Sequence, residues 1–336
     1  MKRNLLHRIF FTVMTICIMN NSDAKVWRIN NTVGINANFT QISEAVASSS
    51  VSAGDTLYVE GSSAIYNTVE LKKRLVIIGP GYFLAGTASN PGLQYHTQPA
   101  TINTFYLDSL GSGSVIMGLS GYFYLSGGVD NLTLTRNNFS LYTYNLQNTG
   151  QVNSNIKITK NYLTVSVSFT MENAEITNNI ISGPCSVNST NNKNILLRNN
   201  VITYGSPNIS GAYVSNNIFT VTSATFTNST VRYNIATGNN VLPAGNNNQN
   251  NIALNTIFVA SGSSDGYYRL LANSPAIGAG EPINGVTPDA GAFGTADPYR
   301  LSGIPAIPSI YELNVPASVP ATASSMTVTI STRSNN

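Results

Sequence analysis

Residues 156–163 read IKITKNYL, and the same pattern returns as AEITNNII in residues 174–181 and as ILLRNNVI in residues 195–202. In each copy, two apolar residues are separated by one residue, two further residues and then an Asn follow, and another apolar residue lies two positions after the Asn. Alternation of apolar residues is the periodicity of a β-strand rather than of a helix. A unit of about 20 residues has too little apolar surface to fold alone, so the units must stack.

The pattern occurs six times, and its Asn residues are Asn137, Asn161, Asn179, Asn200, Asn217 and Asn234. Stacked coils lie about 4.8 Å apart, so amide side chains at equivalent positions can hydrogen-bond to one another along the axis. Asn also tolerates the left-handed backbone that tight turns require. We therefore predict an asparagine ladder that belongs to the scaffold and does not bind a ligand.

Stacking in register also predicts which apolar residues face the interior. The two predicted columns are Leu132, Ile156, Ala174, Ile195 and Ala212, and Leu134, Ile158, Ile176, Leu197, Val214 and Val231. Hydrophobic residues make up 42% of the chain and charged residues only 9%, which suits many short strands joined by polar turns. The predicted fold is all-β, a right-handed parallel β-helix.

A short helix is predicted ahead of the first coil. Phe39, Ile42, Ala45 and Val46 follow helical spacing, with Thr40 or Asn38 as the N-cap. Such an N-terminal capping helix would cover the first coil, whose exposed edge would otherwise favour aggregation.

Residues 1–24 have the features of a signal peptide. Lys2, Arg3 and Arg8 precede an uncharged, mostly apolar stretch over residues 9–19, and residues 22–24 (SDA) offer a cleavage site. The apolar stretch is too short to span a bilayer. We expect an exported product, either secreted or held at the cell surface, with no membrane span in the mature chain.

Three regions are predicted along the chain: the signal peptide (residues 1–24), the β-helix (residues 25–296) and a Pro-rich tail (residues 297–336). Five prolines punctuate the tail, namely Pro298, Pro305, Pro308, Pro316 and Pro320. Residues 326–331 alternate in polarity, which predicts one strand in the tail.

Several motifs resemble those of the pectin-lyase-like superfamily of right-handed parallel β-helix proteins. Residues 39–46 (FTQISEAV), 53–59 (AGDTLYV) and 75–82 (LVIIGPGY) look like its entry cap and first strand. Residues 274–280 (SPAIGAG) and 289–293 (DAGAF) are similar to the closing motif of exported bacterial β-helix proteins. The superfamily includes polysaccharide lyases, hydrolases, adhesins and surface proteins, so the resemblance implies a fold and no single function.

A polysaccharide lyase acting on a uronic-acid polymer is one functional hypothesis. A lyase of this fold needs a base to abstract the proton beside a uronate carboxylate, usually with Ca²⁺ neutralising that carboxylate. Arg136, Lys157 and Lys160 are the candidate residues. No acidic ligand set for Ca²⁺ accompanies them, and Glu175 lies one coil from Lys157, where a cross-strand salt bridge is expected. Outside this hypothesis we expect no cofactor.

The leading hypothesis is a non-enzymatic exported protein that binds a glycan or builds cell-surface structure. Tyr213 follows Leu196 in an outward-facing column, and the two would form a flat apolar patch on which a sugar ring can stack. The competing interpretation is that the aromatic residues of the coils fill a wide core.

Other functional classes lack the residues that they require. After removal of residues 1–24, His96 is the only histidine and Cys185 the only cysteine, so no thiolate or His-rich metal site is expected. The formal net charge of the full chain is only +3, with no basic stripe, so no nucleic-acid partner is expected.

Overall fold

The structure is a computed structural model that describes residues 24–87, 89–143, 151–167, 171–188 and 194–335. Of the predicted signal peptide, only residue 24 lies within these ranges. Within them the chain forms one α-helix, α1 (Ile42–Ala47), and many short strands. The strands are β1 (Val26–Ile29), β2 (Thr56–Val59), β3 (Val69–Leu71), β4 (Val76–Ile78), β5 (Ala100–Leu107), β6 (Val115–Met117), β7 (Leu119–Leu125), β8 (Thr133–Thr135), β9 (Asn138–Thr143), β10 (Asn153–Ser154), β11 (Lys157–Thr159), β12 (Tyr162–Val167), β13 (Met171–Glu172), β14 (Ala174–Thr177), β15 (Ile180–Asn188), β16 (Ile195–Arg198), β17 (Val201–Ile202), β18 (Asn208–Ser210), β19 (Ala212–Ser215), β20 (Ile218–Phe219), β21 (Thr225–Thr227), β22 (Thr230–Arg232), β23 (Ile235–Ala236), β24 (Ser309–Asn314) and β25 (Thr329–Arg333).

The strands β1 to β23 build a parallel β-solenoid of about 9 turns, which confirms the predicted all-β class and architecture. The first sheet runs β1-β2-β4-β6-β8-β11-β14-β16-β19-β22. The second runs β23-β20-β17-β15-β12-β9-β7-β5-β3, with β18 and β21 attached, and β10 and β13 form a third, short sheet. Each strand pairs in parallel with the strand one coil away; Ile158, for example, lies between Leu134 and Ile176.

The helix α1 packs onto the beginning of the solenoid, as predicted. Ile42, Ala45 and Val46 are buried in the main core. The Glu44 carboxylate accepts a hydrogen bond of 3.1 Å from the backbone N–H of Gln41, which is the N-cap, so the helix begins one residue later than the predicted Thr40 cap. No helix in the described ranges is both long and apolar enough for a membrane crossing.

Both predicted interior columns are confirmed. All their residues are buried, and the register places Ala174 beside Ile195 and Ile195 beside Ala212. Full burial of a Leu or Ile side chain contributes about 1.5–3 kcal/mol, so these columns are a major favourable term in the stability of the coils.

The six predicted Asn residues stack as a buried ladder at the turn between the first and second sheets, and none of them is exposed to solvent. Asn179 Oδ1 accepts from the backbone N–H of Asn161 at 2.9 Å and from Asn161 Nδ2 at 3.0 Å. Asn179 Nδ2 in turn donates to Asn200 Oδ1 at 2.9 Å and to the carbonyl oxygen of Ile158 at 2.8 Å. Each amide thus satisfies backbone groups that the turn would leave buried without partners.

The residue before each ladder Asn bends the chain into the turn. These residues have φ between 54° and 59°, and they are Arg136, Lys160, Asn178, Asn199, Asn216 and Tyr233. The left-handed region is unfavourable for most side chains and least so for Asn, which explains why Asn-Asn pairs recur at this point of the sequence.

Residues 252–304, here called the flank segment, cover one side of the later coils. Outward residues of the second sheet are apolar there, and Ile180, Val201, Ile218 and Ile235 are fully buried. The flank segment covers them with Ile257, Phe258, Ala276, Ala290, Ala292 and Tyr299. The sequence predicts a β-helix that extends to residue 296. Residues 252–296 instead pack against the side of the later coils.

A buried carboxylate fixes the flank segment to an early coil. Asp265 accepts hydrogen bonds from Asn90 Nδ2 at 2.8 Å, from the backbone N–H of Ser302 at 2.6 Å and from the Tyr299 hydroxyl at 3.1 Å. Burial, together with the negative charge of Asp265, raises the pKa of Tyr82 and of its neighbour Tyr299 well above 10, so both phenols stay protonated.

The tail carries two strands instead of the one predicted. β24 and β25 pair as an antiparallel hairpin, with Leu313 opposite Ile330. The prediction was wrong because residues 309–314 lack the alternating polarity that identified the second strand. The hairpin is attached to the solenoid where the backbone N–H of Tyr95 donates to the carbonyl oxygen of Ile310 at 2.9 Å.

Replacing one ladder residue tests the energetic role of the amides. Asn179→Ala leaves a buried N–H of Asn161 and a buried carbonyl of Ile158 without partners, so the free energy of unfolding should fall by about 3 kcal/mol. Denaturant unfolding followed by circular dichroism measures this change. Asn208→Ala, at an exposed position of β18, is the control and should change stability by less than about 0.5 kcal/mol. Equal effects of both substitutions would contradict the ladder's role.

Cys185 provides a probe of coil opening. Burial raises the pKa of its thiol to about 12, so at pH 8 the folded protein presents almost no thiolate at this position. In a Cys17→Ser chain, a disulfide reagent at pH 8 should label the native protein no faster than the protein unfolds. The unfolded chain in denaturant is the positive control, and rapid labelling under native conditions would refute the buried position.

Candidate functional site

Three tyrosines stack on the outer face of the second sheet. Tyr106 in β5, Tyr124 in β7 and Tyr142 in β9 are direct neighbours in the strand register. The ring centroids of Tyr106 and Tyr124 are 5.5 Å apart, and those of Tyr124 and Tyr142 are 5.3 Å apart, with interplanar angles of 33° and 30°. This tyrosine column is half-buried and forms a continuous aromatic strip across three coils.

Strand alternation turns the tyrosines outward while phenylalanines fill the space beneath them. Phe105 and Phe123 are fully buried, with ring centroids 5.4 Å apart, and Phe123 stacks on Phe139 at 4.6 Å. Aromatic residues therefore occupy both faces of these strands. The phenylalanines fill the core, as the competing interpretation expected, and the tyrosines lie at the surface. The packed phenylalanines give the outer strip a rigid base.

A groove of about 250 Å³ lies on the same face, next to the column. Its residues with hydroxyl or amide side chains are Ser120, Tyr122, Asn138, Ser140, Tyr162, Thr164 and Ser182. Tyr122 is 54% exposed, and its ring stacks on Tyr142 at 6.5 Å between centroids. Gly121 also lines the groove, and no larger residue fits there because a Cβ would lie 2.3 Å from the carbonyl oxygen of Ile102.

Among the described residues that line the groove, none has a charged side chain. Its chemistry is therefore that of hydroxyl and amide hydrogen bonding beside flat aromatic rings. Tyrosine presents an apolar ring face together with a polar edge, a combination suited to ligands that have both apolar and hydroxyl-bearing surfaces.

The tyrosine column was not predicted, although a signal for it exists in the sequence. Tyr106, Tyr124 and Tyr142 recur at equal intervals close to the length of one coil. Recognising the column also requires the register of β5, which shifts between Ile102 and Thr104 through a bulge.

Arg136 and Lys160, two of the candidate lyase residues, occupy the same turn position in successive coils, but both are engaged. Arg136 is only 6% exposed, and its Nη1 donates to the carbonyl oxygen of Ile304 at 2.8 Å. Lys160 Nζ forms an ion pair with Asp297. The flank segment thus covers the turn positions at which Arg136 and Lys160 would have contacted a uronate chain.

Lys157, the third candidate, lies on the open outer face of the first sheet. Its Nζ is 3.8 Å from Glu175 Oε1 on the next coil, which confirms the expected cross-strand salt bridge. Both side chains are about half exposed, so the pair contributes at most about 1 kcal/mol. Within the described residues, the three candidate bases do not converge on a shared cleft.

Leu196 and Tyr213, the predicted ligand-binding pair, are neighbours in the register as expected. The Tyr213 hydroxyl donates to Glu281 Oε1 at 2.6 Å, and the guanidinium of Arg198 lies 5.7 Å from the ring centroid. Burial, with the hydrogen bond to Glu281, raises the pKa of Tyr213. Its ring face and hydroxyl are thus taken up by a polar cluster, which the sequence could not show because Glu281 comes from the distant flank segment.

The described residues contain no cluster of three or more His, Cys, Asp or Glu side chains that could hold a metal ion. Compared with known proteins, the chain matches no family model and no curated protein. A functional proposal for it therefore has to rest on the geometry and chemistry of the site.

Proposed function

We propose that the protein is an exported, non-enzymatic β-helix protein that binds an uncharged glycan along the tyrosine column. The observation that carries the proposal is the strip of Tyr106, Tyr124 and Tyr142 beside a groove lined by uncharged hydrogen-bonding groups. A polysaccharide is an extended ligand, and the strip extends over three coils.

Each part of the face suits a different part of a sugar ring. The C–H faces of a pyranose are apolar and pack against aromatic rings, while its hydroxyls require donors and acceptors at the edges. Asn138, Ser140 and Thr164 supply both kinds of group beside the rings. The column also costs little ordering entropy on binding, because its tyrosines are already stacked on one another.

The absence of charge from the described part of the groove lining favours a neutral glycan over a uronic-acid polymer. A polyanion would lose hydration at its carboxylates without gaining cationic partners in this groove. The lyase alternative has less support, because Arg136 and Lys160 are engaged with the flank segment and Lys157 is paired with Glu175.

Export and membership of the pectin-lyase-like superfamily complete the proposal. The basic and apolar segments of residues 1–24 support export. The parallel solenoid and its buried asparagine ladder agree with the superfamily resemblance of residues 39–46 and 75–82.

Truncating the central tyrosine tests the binding face. Tyr124→Ala should weaken affinity for an uncharged polysaccharide by about tenfold, because it removes the central ring of the strip and with it an aromatic contact worth on the order of 1.5 kcal/mol. Retardation in native gels containing xyloglucan, galactomannan or laminarin measures the affinity. Tyr204→Ala removes a tyrosine that is 57% exposed outside the column and should leave retardation unchanged.

The same gels can reject the proposal. If none of the uncharged polymers retards the wild-type protein, the column is not a glycan site, and a structural role at the cell surface becomes the better hypothesis. A melting temperature for each variant shows whether lost binding reflects lost folding.

A lyase assay tests the non-enzymatic part of the proposal separately. Alginate, pectate and glycosaminoglycans, incubated with the protein in the presence of Ca²⁺, should yield no ultraviolet absorbance from unsaturated sugar products. Absorbance that grows with enzyme concentration and disappears in Lys157→Ala would restore the lyase hypothesis. An authentic pectate lyase serves as the positive control.

A further inference from the structure

A second cavity lies where the flank segment and the tail meet Leu93, and none of its lining residues belongs to the tyrosine column. It has a volume of about 350 Å³, and the residues that line it include Leu93, Tyr299, Arg300, Ile304, Arg333 and Asn335. Nothing in the proposed glycan site uses these residues. The cavity is formed from three separate parts of the chain, and the hairpin of β24 and β25 holds one of them in place.

Two arginines of this cavity have donors without acceptors. The Nε atoms of Arg300 and Arg333 are buried, and neither has a hydrogen-bond partner among the described residues. Buried polar groups in folded proteins are nearly always hydrogen-bonded, and leaving a charged donor unpaired is especially costly. Both guanidinium groups are therefore short of acceptors, and their terminal nitrogens, not the enclosed Nε atoms, are the donors that a ligand in the cavity would meet.

Arg333 is held in position independently of any ligand. One of its terminal nitrogens donates to the carbonyl oxygen of Leu93, and its guanidinium lies 5.4 Å from the ring centroid of Tyr311. Arginine is well suited to bidentate contacts because its donors lie in one rigid plane. This preorganisation reduces the entropy that a ligand would have to overcome.

The charged residues of the described cavity lining are Arg300 and Arg333. None of its described lining residues is acidic. Arg136 lies behind it, with Nη1 donating to the carbonyl oxygen of Ile304 at 2.8 Å and directed towards that of Asn335 at 3.4 Å. Burial and the nearby charge of Arg300 lower the pKa of Arg136, and the charge of Asp297, which pairs with Lys160, acts against them.

We propose that this cavity binds a small oxyanion, a carboxylate or sulfate group, between Arg300 and Arg333. Two acceptor oxygens on one group would accept hydrogen bonds from the two guanidinium groups and offset their charge. The group can come from a free inorganic anion or from an acidic sugar. In either case it binds at the junction of the flank segment and the tail.

Thermal unfolding with added anions tests the proposal, because a ligand that binds the folded state raises the melting temperature in a saturable way. The probes are sodium sulfate and sodium galacturonate, with sodium chloride at equal ionic strength and galactose as controls. Sulfate alone would identify an inorganic or sulfate-ester ligand, and galacturonate alone would identify a carboxylate-bearing sugar. The titrations are repeated on a chain with Gly-Ser appended after Asn336, so that the terminal carboxylate cannot serve as the anion.

Substitutions then locate the bound anion. Arg300→Gln should weaken its apparent affinity by about tenfold, as expected for loss of a charge-assisted hydrogen bond. Arg269→Gln makes the same charge change at an exposed position outside the cavity and should leave the affinity unaltered.

Two results would overturn the proposal: no saturable shift of the wild-type protein with either anion, or a shift that Arg300→Gln leaves intact. The wild-type titration can refute the site even if a variant fails to fold. The anion site is tested by melting temperature and the glycan site by gel retardation. A negative result in one experiment therefore does not affect the other proposal.

Discussion

A column of buried carboxamides holds the coils of this protein in register. Each amide is committed twice, to the amide of a neighbouring coil and to backbone groups at the turn, as Asn161 and Asn179 show. Shifting one coil by a single residue would separate these groups in a medium without water and would turn the interior residues outward. The polar ladder and the apolar columns beside it therefore specify the same alignment, and the outer surface inherits its regularity from that alignment.

The sequence was sufficient to predict this part of the molecule because its pattern is local and repeated. Apolar alternation identifies the strands, and the Asn of each unit identifies the turn. A second corner escaped notice although it carries a similar signal. The residues before several strands of the first sheet also have positive φ, and they include Asn131, Asn155, Asn173, Asn194 and Asn228. With Gly211 between Asn194 and Asn228 their spacing equals that of the ladder, and each directly precedes one copy of the repeated motif, whose apolar and Asn positions alone served to identify the repeat.

Contacts between non-repeating parts of the chain could not be predicted from the sequence. Arg136 meets the backbone of Ile304, and Tyr213 meets Glu281, across intervals that no periodic pattern relates. Both contacts changed the functional interpretation, because they occupy side chains that looked available at the surface. The tyrosine column could be predicted only in part. Its residues repeat in the sequence, but the bulge in β5 decides whether their rings align.

The flank segment has an effect on the whole solenoid that the coils alone would not have. Tyr82 from an early coil and Ile235 from the last one belong to the same buried cluster. Coils that touch only their neighbours can fray from either end in small steps. A segment that bridges distant coils adds contacts that must be lost together, so melting of one end is coupled to melting of the other. The protein should consequently unfold over a narrow range of temperature, as a single cooperative unit and not as a row of independent repeats.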